Sequence, residues 1–421
     1  MFTESVLSLV QFALRGAAIA FRIAFRNLVR HHRRSLIAIL SVGFGIAAFV
    51  VANGFAQWMF HDFREATIES AYGHLQITRP QFHEKGRADP FQYLLPNDAD
   101  IGRLAGLPHV RRISPMLTFA GLISRDEATF SFIGEGISVA GDLSDNRSVS
   151  IVRGAKPASD TASEIIVGQG LARTLGADVG SRIVLLVNTP SGGLSAVEAQ
   201  VAGIFTSVSK SYDDSALLLP IALARRLLKV DGAHVWRVFL DDTAHTGEAL
   251  SWLKARLDSK QFEVRPWTEL AEFYMRAVKL LSEQLGVVRA IVVAIILLGI
   301  GNTMMMSVLE RTSEIGTAMA LGVKRQTLLV QFMIEGALIG LIGGTAGLLL
   351  AAGSSLGIGA MHIDMPPPPG LSRGYVANVM LAPSLLVEGM LIALITTTLA
   401  SIYPAWKASR LAIVDALRHG R

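Results

Sequence analysis

The segment GVVRAIVVAIILLGIGNTMMMSVL, Gly286–Leu309, is followed directly by a charged segment, ERTSEIGTAMALGVKRQ, Glu310–Gln326. The apolar segment carries a single charge, Arg289, and is long enough to cross a bilayer as a helix, which needs roughly 20 residues. A second apolar segment follows the charged one. This alternation predicts a membrane protein with a charged, helix-prone connection between two of its spans.

The composition of the chain agrees with membrane integration. Of its 421 residues 51% are hydrophobic and only 17% are charged, which is too apolar for an ordinary soluble enzyme of this size. The formal net charge is +5, but the basic residues cluster beside the apolar segments, so we expect no nucleic-acid partner. The chain has no cysteine, which excludes disulfides, thiolate metal sites and a cysteine nucleophile.

Four segments are apolar and long enough to span a bilayer, namely residues 35–58, 286–309, 328–361 and 384–403. The third is longer than one crossing requires, and its many glycines predict a tilted or broken helix. The segments between the spans are then a large one at 59–285, the charged segment at 310–327, a proline-rich loop at 362–383 and a tail at 404–421.

The distribution of basic residues predicts the orientation of the spans. Bases precede the first span, lie between the second and third, and follow the fourth, at Arg22, Arg26, Arg30, Arg33, Arg34, Arg311, Lys324, Arg325, Lys407, Arg410, Arg418 and Arg421. The loop 362–383 holds only one, Arg373. We therefore expect both termini and segment 310–327 in the cytoplasm, and residues 59–285 outside, since long domains translocate largely regardless of their own charge.

The first 34 residues have the pattern of a helix that lies in the membrane interface. Apolar residues recur at helical spacing on one face, at Leu7, Val10, Leu14, Ala17, Phe21, Ala24 and Leu28, opposite Gln11, Arg15, Arg22 and Arg26. A cleaved secretory signal is the alternative, which Arg15 disfavours because it interrupts the apolar core.

The segment 59–285 reads as an α+β extracytoplasmic domain between helices 1 and 2. Short β-branched runs, HLQIT, TFSFI, RIVLLV, AQVAGIF and WRVFL, alternate with helical stretches at 170–175, 220–229 and 248–257. At its two edges the sequences FHDFREATIESAYG and TELAEFYMRAVKLLSEQ stay helical in pattern, which predicts that the flanking spans project beyond the bilayer as a stalk.

Motifs for catalysis are missing from the sequence. GxxxxGK[ST] does not occur, so we expect no ATP bound through a P-loop of this chain. The histidines are scattered without a metal-binding spacing, and Asp213–Asp214 and Asp241–Asp242 are adjacent rather than opposed, so we expect solvated loops, no metal and no catalytic residue.

Two further features concern packing. Gly336, Gly340 and Gly344 recur at four-residue spacing, with Gly343 and Gly347 as a second pair, which predicts close helix packing between spans or between subunits. The turn MPPPPG, Met365–Gly370, is a stiff extracytoplasmic turn or a docking point for a partner.

In the charged segment, Glu310 and Glu314 lie four residues apart and share a helix face. Ile315, Ala318 and Met319 form a small apolar face, and Gly322 is placed to end a helix. The pattern fits a short amphipathic helix on the inner membrane surface, or an ordinary charged turn.

Three stretches resemble a known family. ERTSEIGTAMALGVKRQTLLVQFMIEGALIGLIGG resembles the signature of FtsX/MacB-type permeases of ABC transporters, in which ExxxEIGxxxAxG after a membrane helix forms the cytoplasmic coupling helix. YPAWKASRLAIVDALRHG is similar to the closing motif of that family, and IAFRNLVRHHRRSLIAILSVGFGIA resembles its opening.

The resemblance implies a set of residues that contact an ATPase. Met319 stands where many members carry a base, so we expect an apolar contact with the ATPase at that position. The implied coupling residues are Glu310, Arg311, Glu314, Ile315, Gly316, Met319, Ala320, Leu321 and Gly322.

It also implies a permease without catalysis of its own in the bacterial inner membrane, paired with a cytoplasmic ABC ATPase dimer that binds ATP and Mg²⁺. A second permease copy, identical or a paralogue, and membrane lipids complete the expected assembly. The implied function is mechanotransmission for a lipoprotein, lipid or other hydrophobic envelope substrate, with a periplasmic carrier or adaptor as a further partner. The alternatives are drug or peptide efflux through an adaptor and outer-membrane duct, and signalling to a cell-wall hydrolase.

Overall fold

The structure is a computed structural model that describes residues 21–410 except 31, 87, 97–101, 103, 105, 144–148, 208 and 366–373. Residues 21–30 are helical. Four helices are long and apolar enough to cross a membrane: His32–Tyr72, which includes a terminal π-helical turn at Ile68–Tyr72, Glu272–Glu310, Arg325–Met361 and Pro383–Ser409.

Within the described residues, the α-helices alternate with short strands between the first and second long helix. They are α1 (His32–Thr67), α2 (Phe82–Lys85), α3 (Val139–Asp142), α4 (Gln169–Leu175), α5 (Lys210–Asp213), α6 (Ile221–Leu228), α7 (Thr246–Arg256), α8 (Trp267–Leu270), α9 (Glu272–Glu310), α10 (Thr312–Ala320), α11 (Arg325–Met361) and α12 (Pro383–Ser409).

The strands form one large sheet and one short pair. They are β1 (Leu75–Thr78), β2 (Val110–Arg125), β3 (Ala128–Ile137), β4 (Ser150–Gly154), β5 (Glu164–Gly168), β6 (Arg182–Asn188), β7 (Leu194–Thr206), β8 (Ala216–Pro220), β9 (Val235–Leu240), β10 (Glu263–Pro266), β11 (Asp364–Met365) and β12 (Tyr375–Val376). The order in the large sheet is β10-β1-β9-β2-β3-β8-β5-β7-β4, with β6 pairing to both β2 and β7.

The chain divides into two compact units. Unit 1 comprises Met1–Phe60, Lys279–Ile363 and Val376–Arg421, and unit 2 comprises His61–Val278 and Asp364–Tyr375. Helices α1 and α9 each contribute residues to both units.

Unit 1 is a helical bundle with an apolar core. Val42 and Ile46 of α1, Ile296 and Ile300 of α9 and Ala393 of α12 are fully buried in one cluster. Ala24 and Leu28, on the predicted apolar face of the N-terminal helix, belong to the same cluster. The outer face of α9 stays open within this chain, because Val287 is 61% and Leu298 is 75% exposed.

One lobe of unit 2 is built on β10, β1, β9 and the first half of β2. β1 is antiparallel to both β10 and β9, and β9 is antiparallel to residues 110–116 of β2. Helix α7 covers this sheet, with Leu253 fully buried against Trp236 and Val238 in one cluster. β9 reads VWRVFL and is buried at every position, which explains why it lacks a polar face.

The second lobe contains a closed circuit of strands. β2 pairs with β3, β3 with β8, β8 with β5, β5 with β7, β7 with β6, and β6 again with β2. Apolar residues of these strands and of helices α4 and α6 share one buried core, which includes Phe132, Leu185 and Leu223. Each strand of this circuit therefore has a partner on both sides along part of its length.

The far end of α1 is anchored in unit 2. Its last residues continue into the π-helical turn Ile68–Tyr72, where Glu69 pairs with Arg111 and, at 3.1 Å, with Arg112 of β2. Phe63 and Tyr274 contact each other with ring centroids 5.1 Å apart, in a cluster with buried Ile68 and Trp267. The end of α1 and the start of α9 therefore pack together and against the sheet.

Several predictions for this region are confirmed. The five β-branched runs named from the sequence fall in β1, β3, β6, β7 and β9, and the three helical stretches fall in α4, α6 and α7. Gly176 ends α4 with φ +65°, as the string GLARTLGADVG indicates.

Other expectations need correction or fall elsewhere. Glycines do not break α11, which is continuous from Arg325 to Met361, and several of them lie at contacts with neighbouring helices. Helix α12 continues through Pro404 to Ser409, beyond the predicted end of the span at residue 403. Some predictions concern residues outside the described part of the chain, namely residues 1–20, the prolines at 366–369 and the tail at 411–421.

Candidate functional site

The charged segment folds as the short helix α10 between two long helices. Helix α9 ends at Glu310, and Arg311 interrupts it with φ −96° and ψ 12° before α10 begins at Thr312. The Thr312 hydroxyl donates to the carbonyl oxygens of Val308 and Leu309, at 3.1 and 2.7 Å, and so binds the end of α9. The first turn of α10 holds Glu314, where a negative charge is favoured by the helix dipole.

The end of α10 has the hydrogen bonds of a Schellman motif. The Gly322 N–H donates to Met319 O at 3.0 Å and the Val323 N–H donates to Ala318 O at 3.1 Å. Gly322 adopts φ +93°, a conformation that glycine tolerates and other residues resist. Gly322 therefore reverses the chain into α11, which begins at Arg325.

One face of α10 packs inward. Ile315 is 4% and Met319 is 8% exposed, and both lie in a cluster with Phe332 of α11 and Ala405 of α12. Gly316 is buried beside Ile315. This corrects our expectation for Met319: its side chain is covered by the chain's own helices, because the apolar face of α10 completes this cluster.

A buried ion pair joins the start of α10 to α11. Arg311 Nη1 lies 3.4 Å from Glu335 Oε2, with side-chain exposures of 9% and 7%. The same guanidinium is 3.6 Å from Glu314 and lies over the ring of Phe332, at 5.6 Å from its centroid. Removing one partner of a pair this buried leaves an uncompensated charge, which typically costs about 3–5 kcal/mol.

The two predicted coupling glutamates pair with arginines of the N-terminal region. Arg34 pairs with Glu310, and Arg30 Nη1 lies 3.4 Å from Glu314 Oε1. Arg30 is 71% and Glu314 49% exposed, so this second pair contributes little energy and is screened by salt. The Arg30–Glu314 pair matters for its position rather than for its energy, because it lies on the outer face of α10.

The remaining predicted coupling residues are open to solvent. Ala320 and Gly322 are exposed, and Leu321 is 83% exposed. Val323, at 38%, extends this apolar tip. A partner would therefore meet Leu321 and its neighbours together with the carboxylates of Glu310 and Glu314, rather than Ile315 or Met319.

The glycines of α11 contact two different helices of unit 1. A Cβ at Gly336 would lie 2.7 Å from Ser401 Oγ, and one at Gly340 would overlap Thr397 Oγ1, both on α12. A Cβ at Gly347 would lie 2.6 Å from Gly43 O of α1, and one at Gly343 would lie 2.8 Å from Val42 Cβ. Gly344 faces Ala393 and Met390. The two glycine rows thus pack between helices of one chain.

The structure also brings together two histidines and an aspartate that have no metal-binding spacing in the sequence. His109 Nδ1 lies 2.9 Å from Asp241 Oδ2, and His245 Nδ1 lies 2.9 Å from Asp241 Oδ1. The two imidazole rings stack with centroids 3.7 Å apart. The sequence indicates part of this cluster, since Asp241 and His245 are four residues apart. The pairing of β2 with β9, which brings in His109, is a long-range feature that spacing does not reveal.

The similarity to known proteins covers both units. Residues 35–256 match the family model of the MacB-like periplasmic core domain, and residues 286–413 match that of the FtsX-like permease C-terminal region. The chain belongs to the FtsX/MacB-type permeases of ABC transporters. The predicted family is confirmed, with its four apolar helices and its periplasmic-type domain.

Relatives of this permease include proteins named MacB and proteins named LolC. It is 28% identical to "Macrolide export ATP-binding/permease protein MacB" of Acinetobacter baylyi, over 81% of this chain and 52% of that protein. It is 26% identical to "Lipoprotein-releasing system transmembrane protein LolC" of Xylella fastidiosa, over 61% of this chain and 64% of that protein. The permease thus spans about half to two thirds of the length of these relatives.

Two solved structures resemble part of the permease. The periplasmic region of MacB from Actinobacillus actinomycetemcomitans matches 49% of this chain and 94% of its own, at 12% identity and a TM-score of 0.37. The extracellular domain of the transporter YknZ from Gram-positive bacteria matches 45% of this chain and 98% of its own, at 13% identity and a TM-score of 0.34.

Proposed function

We propose that this permease couples ATP hydrolysis by a cytoplasmic ABC ATPase to mechanical work on the opposite side of the bacterial inner membrane. Helix α10 is the contact with the ATPase, both chain termini are cytoplasmic, and unit 2 works outside. The observation that carries the proposal is the form of α10: a short helix clamped to its neighbours on one face, with a highly exposed apolar tip at Leu321 on the other.

The contacts of α10 suit the transfer of force. Ile315 and Met319 join it to α11 and α12, and the Arg311–Glu335 ion pair joins it to α11 a second time. A displacement of the tip therefore moves packed helices instead of bending a loop, because close-packed interiors transmit strain. A partner therefore needs only to displace the tip of α10 at Leu321.

The route beyond the membrane runs through α1 and α9. Both helices extend past the length that a bilayer needs, and in unit 2 their ends pack together around Phe63 and Tyr274. Glu69 then fastens the end of α1 to Arg112 on β2. We propose that motion of α1 reaches the sheet through this partly buried pair, in which both side chains are 12% exposed.

We propose a lipoprotein, lipid or other hydrophobic envelope molecule as substrate, received by a carrier outside the membrane. Similarity to lipoprotein-releasing LolC supports this choice. Export of a drug or peptide through an adaptor and an outer-membrane duct is the second candidate, and similarity to the macrolide exporter MacB supports it. A second permease copy, identical or a paralogue, is proposed in either case.

The test of the coupling site uses two matched exposed leucines. Leu321→Asp changes the tip of α10, and Leu194→Asp changes a residue of β7 that is 69% exposed. Because neither side chain is buried, both variants should fold like the wild type. We expect L321D alone to lose co-purification of the ATPase and its substrate-stimulated turnover, by at least tenfold.

A further variant tests the motif itself. Glu314→Arg should also uncouple or release the ATPase from a folded permease. If ATPase binding and stimulated turnover survive L321D and the Glu314 variant, α10 is not the contact.

The substrate class is tested separately in proteoliposomes that contain the permease and its ATPase. ATP-dependent release of a lipidated protein, but not of its unlipidated form, supports extraction. Activation of a cell-wall hydrolase during ATP cycling without any release would instead assign the permease to signalling, and release of macrolide would assign it to efflux.

A further inference from the structure

We propose that His109, Asp241 and His245 form a binding site for a divalent transition-metal ion, of which Zn²⁺ is the best fit. The site lies in unit 2, apart from α10, and it does not depend on the proposed transport function. Two imidazole nitrogens and one carboxylate are a ligand set that zinc uses in proteins, with open positions left for water or another group.

The three ligands are held by the ends of regular elements. His109 directly precedes β2 and Asp241 directly follows β9, and these strands pair there through Val110 and Leu240. The Asp241 N–H donates to His109 O at 3.0 Å, which continues the ladder by one step. A strand end fixes each residue better than a free loop does.

His245 reaches the same point through a capped turn. The Asp242 carboxylate accepts from the Ala244 N–H at 2.8 Å and so fixes the 3₁₀ turn Thr243–His245 that leads into α7. Glu248 lies three residues after His245, in the first turn of α7, and is exposed. Its carboxylate is therefore a candidate for a fourth ligand.

The distances fit a metal of this size. Zinc–nitrogen and zinc–oxygen bonds of about 2.0–2.2 Å at angles between 90° and 110° place ligand atoms about 2.9–3.4 Å apart. The two N···O separations of 2.9 Å involve different oxygens of Asp241, and one ligand atom from each of the three residues lies within 4.8 Å of the other two. The rings stack at an interplanar angle of 26°, so each must turn about its Cβ–Cγ bond for its Nδ1 lone pair to point at one ion.

The backbone supplies a second, independent observation. His109 has φ +62°, a left-handed conformation that is unfavourable for a non-glycine residue. The structure adopts this conformation at the residue that carries the imidazole to Asp241. Strained residues of this kind cluster at ligand sites.

The proton balance of binding is simple. In a neutral ring the Nδ1 proton that now bonds Asp241 is lost to solvent while Nε2 takes one up, so the ring changes tautomer without net release. A protonated ring releases its Nδ1 proton and keeps that on Nε2. Binding should therefore weaken as pH falls and more of the rings are protonated.

The test is saturation binding of Zn²⁺ and of Co²⁺ to the purified full chain in detergent. We expect one ion per chain with micromolar affinity, visible d–d absorption with Co²⁺, and a rise of melting temperature with Zn²⁺. His109→Asn and His245→Asn should each weaken binding at least tenfold. Asparagine is chosen at 109 because it tolerates the left-handed backbone.

The matched control is His362→Asn, which alters an exposed histidine that also has positive φ, 45°. It should leave binding unchanged. The proposal is overturned if the wild type shows no saturable binding, or if His109→Asn and His245→Asn bind Zn²⁺ as tightly as the wild type. Equal melting temperatures of all variants without metal would exclude unfolding as the cause of lost binding.

Discussion

Substitution of Gly347 by alanine should open the contact between α1 and α11. A Cβ at this position would lie 2.6 Å from Gly43 O and 2.9 Å from Ile46 Cβ, whereas ordinary contacts begin at 3.4 Å. The shortfall toward the carbonyl oxygen is about 0.8 Å, and the neighbour is backbone, which cannot rotate away. A gap of 0.5–1 Å forfeits roughly a quarter to a half of each dispersion contact along the seam.

The expected cost follows from a comparison with Gly353. That residue lies on the same helix, is exposed, and has nothing within 4 Å of a built Cβ. Both substitutions gain the same helix propensity, about 1 kcal/mol, so the difference between them isolates the overpacking cost of about 1–3 kcal/mol. Gly353→Ala should be neutral or stabilising, and Gly347→Ala less stable than Gly353→Ala by that amount.

The measurement is thermal unfolding of the purified permease, followed by tryptophan fluorescence. A domain of 150–250 residues shifts by roughly 2–4 °C per kcal/mol, so the two variants should melt several degrees apart. If Gly347→Ala melted at or above the temperature of Gly353→Ala, the close approach of α1 to α11 at Gly43 would be refuted.

Three further outcomes are expected. Burial lowers the pKa of His74 and of His234 to about 4. As the pH falls from 6.5 to 4, protons therefore bind the unfolded chain first, and the free energy of unfolding of unit 2 should fall by about 3 kcal/mol per histidine. Hydrogen exchange of β9 measures this loss. Arg311→Ala should destabilise unit 1 by about 3–5 kcal/mol, while the double variant Arg311→Met/Glu335→Leu should melt above Arg311→Ala. Raising salt to 0.5 M should leave the Arg311–Glu335 pair intact, because buried pairs are screened less than exposed ones. A melting point of Arg311→Ala equal to that of the wild type would contradict the burial of this pair.

Protonation of His74 would also break one of its hydrogen bonds. His74 Nδ1 accepts from the Leu240 N–H at 3.1 Å, and its Nε2 lies 3.1 Å from Thr243 Oγ1. A second proton on the ring would turn the Nδ1 acceptor into a donor and break the bond to Leu240. Hydrogen exchange of β9 that did not accelerate between pH 6.5 and 4 would contradict this assignment.

Features governed by local pattern were predictable from the sequence. The four long helices follow from apolar length, and Gly176 and Gly322 end helices as expected because left-handed backbone favours glycine. β8 was not predicted, because ALLLP is buried at every position and so shows neither alternation nor a polar face.

Features governed by long-range packing were not predictable. The sequence places Met319 on an apolar face but does not tell whether that face meets a partner or the chain's own α11 and α12. The sequence predicts that the fourth span ends at residue 403, yet α12 continues to Ser409, where buried Ala405 and Ala408 hold it against the cluster around Phe332. The group at His109 and Asp241 depends on strands that are far apart in the chain.

Strand β2 belongs to both lobes of unit 2, since residues 110–116 pair with β9 and residues 117–125 pair with β3. Neither lobe can therefore be excised without cutting a strand of the other. A fragment that preserves unit 2 must therefore carry both lobes whole.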